Sequence, residues 1–350
     1  MQTATAVARD ELAQRMLGSP IPRLWCPPIT HYSAEGNVAD ERMAAHWRTM
    51  TRYVGGFLVP GSTGDGWDMH EGEIAHMLTI GTDLAAQLDT RVLVGVLRTD
   101  VKAMLDVIEA TATTLQTMAG ESDVITAMER CHVAGFTVCP PKGATLTQQE
   151  IQIGLEAILD LGLPTAIYQL PQVTENEVSL AVFESLAARY SNFLLFKDTS
   201  GEDHVPQEDR GTSGVFLVRG AEGSYARWLQ EAGGCYQGLL LSTANCFAAE
   251  FARMIALLET GDIAGADALS QRITTVVKAA FDAVAEIRHG NAFANANKAI
   301  DHFKAYGSRA LSVAPPILHA GVRLPVSVIR TVGEALEAGG FMPAKGYLEV

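Results

Sequence analysis

Phe193-Leu194-Leu195-Phe196-Lys197-Asp198 is an apolar run of strand character that ends in a primary amine and a carboxyl group. Similar short, β-rich apolar runs recur along the chain, at 24–26, 56–60, 92–96, 136–139, 165–170, 215–218 and 238–241. Between them lie amphipathic stretches of helical period, at 39–54, 71–88, 101–115, 148–161, 180–190 and 224–232. Strands that alternate with helices predict a parallel sheet with right-handed crossovers. Eight such units predict a closed (β/α)8 TIM barrel rather than an open sheet. A glycine-rich dinucleotide fingerprint is missing after the first strand, which argues against the dinucleotide-binding alternative.

The position of Lys197 within this pattern gives it chemical meaning. Burial disfavours an ammonium ion and lowers its pKa. A neutral amine at the mouth of an apolar pocket is what imine chemistry on a carbonyl substrate needs. A lysine that snorkels from the strand end into water is the competing reading of the run alone.

Composition sets outer limits. The chain has 350 residues, 48% of them hydrophobic and 19% charged, enough for a large core. Its net charge of −14 argues against nucleic acid, because binding phosphates needs clustered Lys and Arg. No continuous apolar window is long enough to span a membrane, and the first residues have no secretory pattern. The five cysteines, Cys26, Cys131, Cys139, Cys235 and Cys246, are scattered without metal-type spacing and fit buried thiols in a reducing cytoplasm. His70 and His76, near Asp65 and Glu73, are six residues apart and do not share a helix face, so no metal is predicted.

The expected division is an N-terminal arm or helix over 1–20, a barrel over 21–246 and a helical C-terminal extension over 247–350. The polar stretch 111–123 is expected to be an insertion or extended loop, and 200–214 a polar loop over the active-site face. In such barrels the active site lies at the C-terminal ends of the strands. This directs attention to Gly61-Ser62-Thr63-Gly64, Arg98, Lys142, Tyr168, Lys197, Arg219, Gly220 and Leu240. Two hydroxyls bracketed by glycines on a βα loop make either a cradle for a carboxylate or an ordinary tight turn. Arg98, Lys142, Lys197 and Arg219 all fall at strand ends. If they face inward, an acidic protein gains a cationic mouth suited to a sugar acid or dicarboxylate; otherwise each pairs with a local acid such as Glu222.

Four stretches resemble the dihydrodipicolinate synthase / N-acetylneuraminate lyase family of class I, Schiff-base aldolases and dehydratases. They are Glu35-Gly36-Asn37-Val38, Gly61-Ser62-Thr63-Gly64-Asp65, Tyr168-Gln169-Leu170-Pro171 and Phe196-Lys197-Asp198-Thr199-Ser200-Gly201. The resemblance implies that Lys197 attacks the keto carbon of a pyruvate-like 2-oxo acid whose carboxylate rests on Gly61, Ser62 and Thr63. Gly220 and Leu240 would line the pocket, and no metal or other cofactor would be needed. It implies a cytoplasmic homodimer or homotetramer, with a 2-keto-3-deoxy sugar acid as the foremost substrate class.

The departures are specific. The family places a catalytic tyrosine after strand 4, where this chain has Val138-Cys139-Pro140-Pro141-Lys142, and the arginine that dihydrodipicolinate synthases use is absent from 143–147. The family's loop acid is Glu, here Asp65. Tyr168 could supply the missing hydroxyl or be part of the packing. Lys142 could act as a base with a pKa depressed by Lys197, or stand in solvent. A barrel that binds a 2-oxo acid as a sensor or scaffold, and a dihydrodipicolinate-synthase-like condensation with a different aldehyde, are the alternatives.

Overall fold

The computed structural model describes residues 3–349. Eight parallel strands, β1 (Leu24–Cys26), β2 (Gly56–Val59), β3 (Arg91–Val96), β4 (Val133–Val138), β5 (Thr165–Gln169), β6 (Phe193–Asp198), β7 (Phe216–Arg219) and β8 (Gly238–Leu240), close into one barrel in sequential order. β1 pairs with β8 through Leu24 opposite Leu239 and Trp25 opposite Leu240, so no sheet edge is left open. The strands are apolar on both faces because one faces the barrel interior and the other a helix.

The helices are α1 (Ala4–Leu17), α2 (Asp40–Met50), α3 (Glu71–Leu88), α4 (Val101–Ala119), α5 (Val124–Arg130), α6 (Gln148–Leu159), α7 (Pro171–Thr174), α8 (Leu180–Arg189), α9 (His204–Asp209), α10 (Ala244–Glu259), α11 (Ile263–Val284), α12 (Ala292–Tyr306) and α13 (Val326–Gly339). The expected division at 246 falls inside α10, which packs on β1 and closes the eighth unit. α11, α12 and α13 pack on one another as the C-terminal extension. Among the described residues no helix is long and apolar enough to cross a membrane. All five cysteines are buried and unpaired.

Three local expectations are corrected. Residues 111–119 are helical, not a loop. The hydroxyls of Thr113, Thr114 and Thr117 donate to carbonyls four residues back, while Ala112 and Leu115 continue the buried face. Gly120, in the left-handed region at φ +64°, then ends α4. Residues 224–232, expected as a helix after β7, form two 3-10 turns instead, at Ala226–Trp228 and Gln230–Ala232. A side chain at Gly234 would meet the Trp228 backbone at 2.2 Å, so the chain doubles back here too tightly for an α-helix. The 200–214 loop likewise contains α9, with Asp203 beneath it, buried and paired to Arg219.

The N-terminal arm is helix α1, with residues 1 and 2 outside the described residues. It lies against the N-terminal ends of the strands and sends Arg9 inward. The buried guanidinium donates to Phe193 O at 2.9 Å, Ser213 O at 2.7 Å and Tyr190 O at 3.0 Å, and also to Ala187 O. Removing it strands several buried carbonyls. Arg9→Met is therefore expected to lower stability by roughly 2–4 kcal/mol, since each unmet buried group costs about 1–3 kcal/mol. A urea unfolding midpoint equal to that of the unchanged protein would refute this plugging role.

Candidate active site

Lys197 is the fifth residue of β6 and points into a cavity of about 190 Å³ at the C-terminal end of the barrel. It is 4% exposed. Its Nζ sits 3.9 Å from the centre of the Tyr168 ring, which comes from the neighbouring strand β5. Burial pushes the amine down to about 7, opposed by the Cys139 thiol, the Glu222 carboxylate and the Cys26 thiol. A substantial share of the amine is thus neutral near pH 7.

Room for the amine comes from Gly220, the residue after β7. A Cβ there would lie 2.6 Å from Lys197 Cε and 2.4 Å from Thr199 Oγ1. Gly220→Ala is expected to push the amine aside and, if Lys197 forms the imine that the resemblance implies, to slow that step roughly 100-fold, the scale of a misplacement of about 1 Å. Unchanged kinetics of borohydride trapping of a 2-oxo acid on Lys197 in a folded Gly220→Ala protein would refute the steric argument.

Facing the amine is the loop after β2. Ser62–Gly64 forms a single 3-10 turn, ended by Asp65 in the left-handed region at φ +63°. A side chain at Gly64 would meet Pro28 O at 2.7 Å, and one at Gly61 would meet Pro27 Cβ at 2.6 Å, so both glycines let the turn sit tightly on the end of β1. The N–H groups of Ser62 and Thr63 open the turn and donate to no backbone acceptor. Trp67 Nε1 donates to Ser62 Oγ at 2.9 Å, and Asn291 Nδ2 to Ser62 O at 2.9 Å. Below the turn Asp65 is fully buried between Lys298 Nζ, at 2.6 Å, and the Tyr32 hydroxyl, at 3.1 Å.

Burial raises the pKa of the Tyr168 hydroxyl, with the Ser62 and Thr199 hydroxyls opposing the shift. Thr199 Oγ1 itself is buried without a hydrogen-bond partner. Glu222, two residues past Gly220, accepts from Ser242 Oγ and Thr243 Oγ1, each at 2.6 Å, from Tyr225 OH at 2.9 Å and from Thr243 N at 3.1 Å. Its charge reaches Lys197 from the far side of Ser242, which lines the cavity.

Ser62, Thr63, Tyr168, Lys197 and Gly220 therefore share one cavity, with Gly61 directly behind it. Four other candidates go elsewhere. Arg98 donates to Leu97 O at 2.8 Å and lines a separate cavity between β2, β3, α3 and α4. Lys142 is half exposed and pairs with Glu175 at 3.0 Å. Arg219 is buried with its donors committed: to Asp203 at 3.0 and 3.2 Å, to Ala221 O at 2.8 Å and to Gly223 O at 3.0 Å. Leu240 is part of the barrel core. The expected cationic mouth does not form, because each of these charges is held by a local acceptor and none of them lines the cavity.

Sequence reasoning missed Trp67, Thr199, Ser242, Asn291 and Phe293, all of which line the cavity. Thr199 lay within a stretch that carried the resemblance. Asn291 and Phe293 belong to the start of α12, where Asn291 caps the helix by accepting from Ala294 N at 2.9 Å. Nothing local in the sequence announces that this helix end reaches the barrel mouth.

His31, His46 and Asp301 bring ligand-type atoms within 4.8 Å of one another. The carboxylate is already held by Arg42 at 2.7 Å, His46 at 3.0 Å and the Tyr347 hydroxyl at 2.9 Å, and it sits well below the usual carboxylate range despite its burial, owing chiefly to His46 and Arg42. The cluster is an ion-pair network that ties α12 and the C-terminal tail to α2. His70 caps α3 and His76 pairs with Asp40.

The dihydrodipicolinate synthetase family model matches residues 126–294. No curated protein matches the chain in sequence comparison. Among solved structures, the chain is similar to YagE, a prophage protein of the dihydrodipicolinic acid synthase family from E. coli K12 solved with pyruvate. The TM-score is 0.70 at 17% identity, covering 91% of this chain and 99% of that one. It is also similar to a variant of Sulfolobus solfataricus 2-keto-3-deoxygluconate aldolase, with a TM-score of 0.68 at 13% identity over 91% of this chain and 96% of that one. KD(P)GA from T. tenax gives a TM-score of 0.66 at 18% identity over 90% and 99%.

Proposed function

We propose that this chain, a divergent member of the dihydrodipicolinate synthetase family, is a class I lyase that forms an imine between Lys197 and a pyruvate-like 2-oxo acid. The observation that carries the reading is a buried amine, lowered to about 7, that shares a cavity with the Ser62–Thr63 turn. The E. coli relative solved with pyruvate supports the choice of ligand.

In this reading the substrate carboxylate accepts from the free N–H groups and hydroxyls of Ser62 and Thr63. That places the keto carbon before Lys197 Nζ. The neutral amine adds to it, the carbinolamine loses water and a protonated imine results. The imine withdraws electrons from the neighbouring carbon, so loss of a proton there gives an enamine. The enamine carbon forms a C–C bond with an aldehyde, or an enamine is left when such a bond breaks; loss of a C–O leaving group follows the same electron path. Water then hydrolyses the imine and frees the amine.

Protons must move between the carbinolamine oxygen, the substrate and solvent. Tyr168, stacked on the amine beside Ser62 and Thr199, is the hydroxyl we assign to this task in place of the family's strand-4 tyrosine. Lys142, paired with Glu175, is left without a part in it. A homodimer or homotetramer in the cytoplasm belongs to the same reading. Of the substrate, only the 2-oxo acid end is assigned here, a 2-keto-3-deoxy sugar acid being what the family resemblance brings for the remainder.

The absent strand-4 tyrosine favours one second reading, a barrel that binds a 2-oxo acid without turning it over. Borohydride reduction in the presence of pyruvate tests both. The reading requires a reduced pyruvyl group on the peptide that carries Lys197; no adduct, or an adduct on another lysine, would sink it. Turnover by the trapping-competent enzyme on a panel of 4-hydroxy-2-oxo acids then separates catalyst from binder.

A further inference from the structure

Beyond the 2-oxo acid end, the cavity offers little to a polyol or a second carboxylate. Its outer walls are Trp67, Leu170, Val173 and Phe293. Most polar groups beside them are already committed through at least one atom, Thr199 Oγ1 excepted. Gln172 Nε2 donates to Thr199 O at 3.1 Å. Asn291 spends its amide nitrogen on Ser62 O and its oxygen on Ala294 N. Ser242 Oγ donates to Glu222 at 2.6 Å and accepts from Asn297 Nδ2 at 3.1 Å. The indole N–H of Trp67 is fixed on Ser62 Oγ.

Charge points the same way. No arginine lines the cavity, and Lys197 is its one lysine among the described residues. Glu222, behind Ser242 in the cavity wall, would repel a distal carboxylate. A hydroxylated chain placed here would leave its own donors unmet, at about 1–3 kcal/mol for each buried group. An apolar group loses nothing to these walls and gains burial against two aromatic rings. The cavity, at about 190 Å³, is also small. Sites for drug-sized ligands start near 300 Å³, so the space suits a short substituent such as a single ring.

We propose that the substrate is a 2-oxo acid whose distal substituent is uncharged and apolar, an aryl or branched alkyl group seated between Trp67, Phe293, Leu170 and Val173. This rests on the imine-forming reading of Lys197. The corresponding reaction joins C3 of pyruvate, as its enamine, to the carbonyl carbon of an apolar aldehyde. The aldehyde oxygen takes up a proton, and water releases a 4-hydroxy-2-oxo acid; cleavage is the reverse.

Reductive trapping gives a readout that does not depend on turnover. The protein is reduced with borohydride in separate titrations of pyruvate, 4-phenyl-2-oxobutanoate, 2-oxoglutarate and 2-keto-3-deoxygluconate, and the adduct on Lys197 is quantified. The expected half-trapping concentration for 4-phenyl-2-oxobutanoate is lower than for either polar acid by roughly tenfold or more, the discrimination that an apolar pocket gives. Phe293→Arg should then raise trapping by 2-oxoglutarate relative to 4-phenyl-2-oxobutanoate. Trapping by pyruvate together with a preference for 2-oxoglutarate or 2-keto-3-deoxygluconate would overturn the apolar subsite and leave the lyase reading in place. Absence of trapping by every acid would overturn both.

Discussion

Lys197→Met is expected to abolish borohydride trapping by pyruvate and to cut turnover roughly 10⁴- to 10⁶-fold, the scale on which loss of a covalent nucleophile acts. Lys197→Arg should fail equally, because a guanidinium stays protonated and cannot add to a ketone. In the unchanged protein the trapping rate should climb with pH through about 7, as the ammonium gives up the proton that blocks attack. A midpoint near the ordinary lysine value would mean that the cavity does not tune the amine. Retained trapping in Lys197→Met would remove the residue from the reaction.

The same variant carries a stability signature of opposite sign. The folded pKa of Lys197, about 7, lies below the ordinary lysine value of 10.5. Between those values the unfolded chain holds a proton that the folded chain has released, so the stability of the unchanged protein rises with pH across that window. Below it, folding bears the whole cost of a buried cation, on the order of 5 kcal/mol for a shift of this size. Lys197→Met removes that cost. Its stabilising effect should be greatest below pH 7 and vanish above about 10.5. A residue proposed to react with substrate that opposes folding is what a strained functional site predicts.

Why the lysine was visible in the sequence while its surroundings were not has a physical cause. Lys197 interrupts a continuous apolar run, and the eight runs follow from strands buried on both faces, so strand positions could be read to within a few residues. The Gly61–Gly64 turn was legible because its glycines answer to steric limits of the backbone nearby. Arg98, Lys142 and Arg219 lay at strand ends as expected, but a position along a strand does not say which acceptor a long side chain will find. Arg219 found Asp203, sixteen residues back on a loop, and Lys142 found Glu175. Phe293 and Asn291 come from far down the chain, and only tertiary packing of α12 brings them to the mouth. Of the apolar outer wall, Phe293 was hidden for the same reason.

One buried pair contributes strongly to that packing, and Lys298→Met should cost about 3–5 kcal/mol, the range for removing one partner of a buried ion pair. Lys298 and Asp65 are each 1% exposed in their side chains and 2.6 Å apart, joining α12 to the residue that ends the Ser62–Gly64 turn. Without the ammonium, Asp65 retains only the Tyr32 hydroxyl as a side-chain partner, too little to hold a carboxylate out of water. The turn should shift, and the half-trapping concentration for pyruvate rise by roughly tenfold, as the carboxylate cradle moves off its geometry. Asp65→Asn added to Lys298→Met removes the stranded charge. Asn tolerates the left-handed backbone that Asp65 adopts at φ +63°, so the double variant should be more stable than Lys298→Met alone. If urea unfolding ranks the double variant below the single one, the pair is not the clamp. If both variants lose stability while pyruvate trapping stays unchanged, the extension supports the barrel without setting the turn.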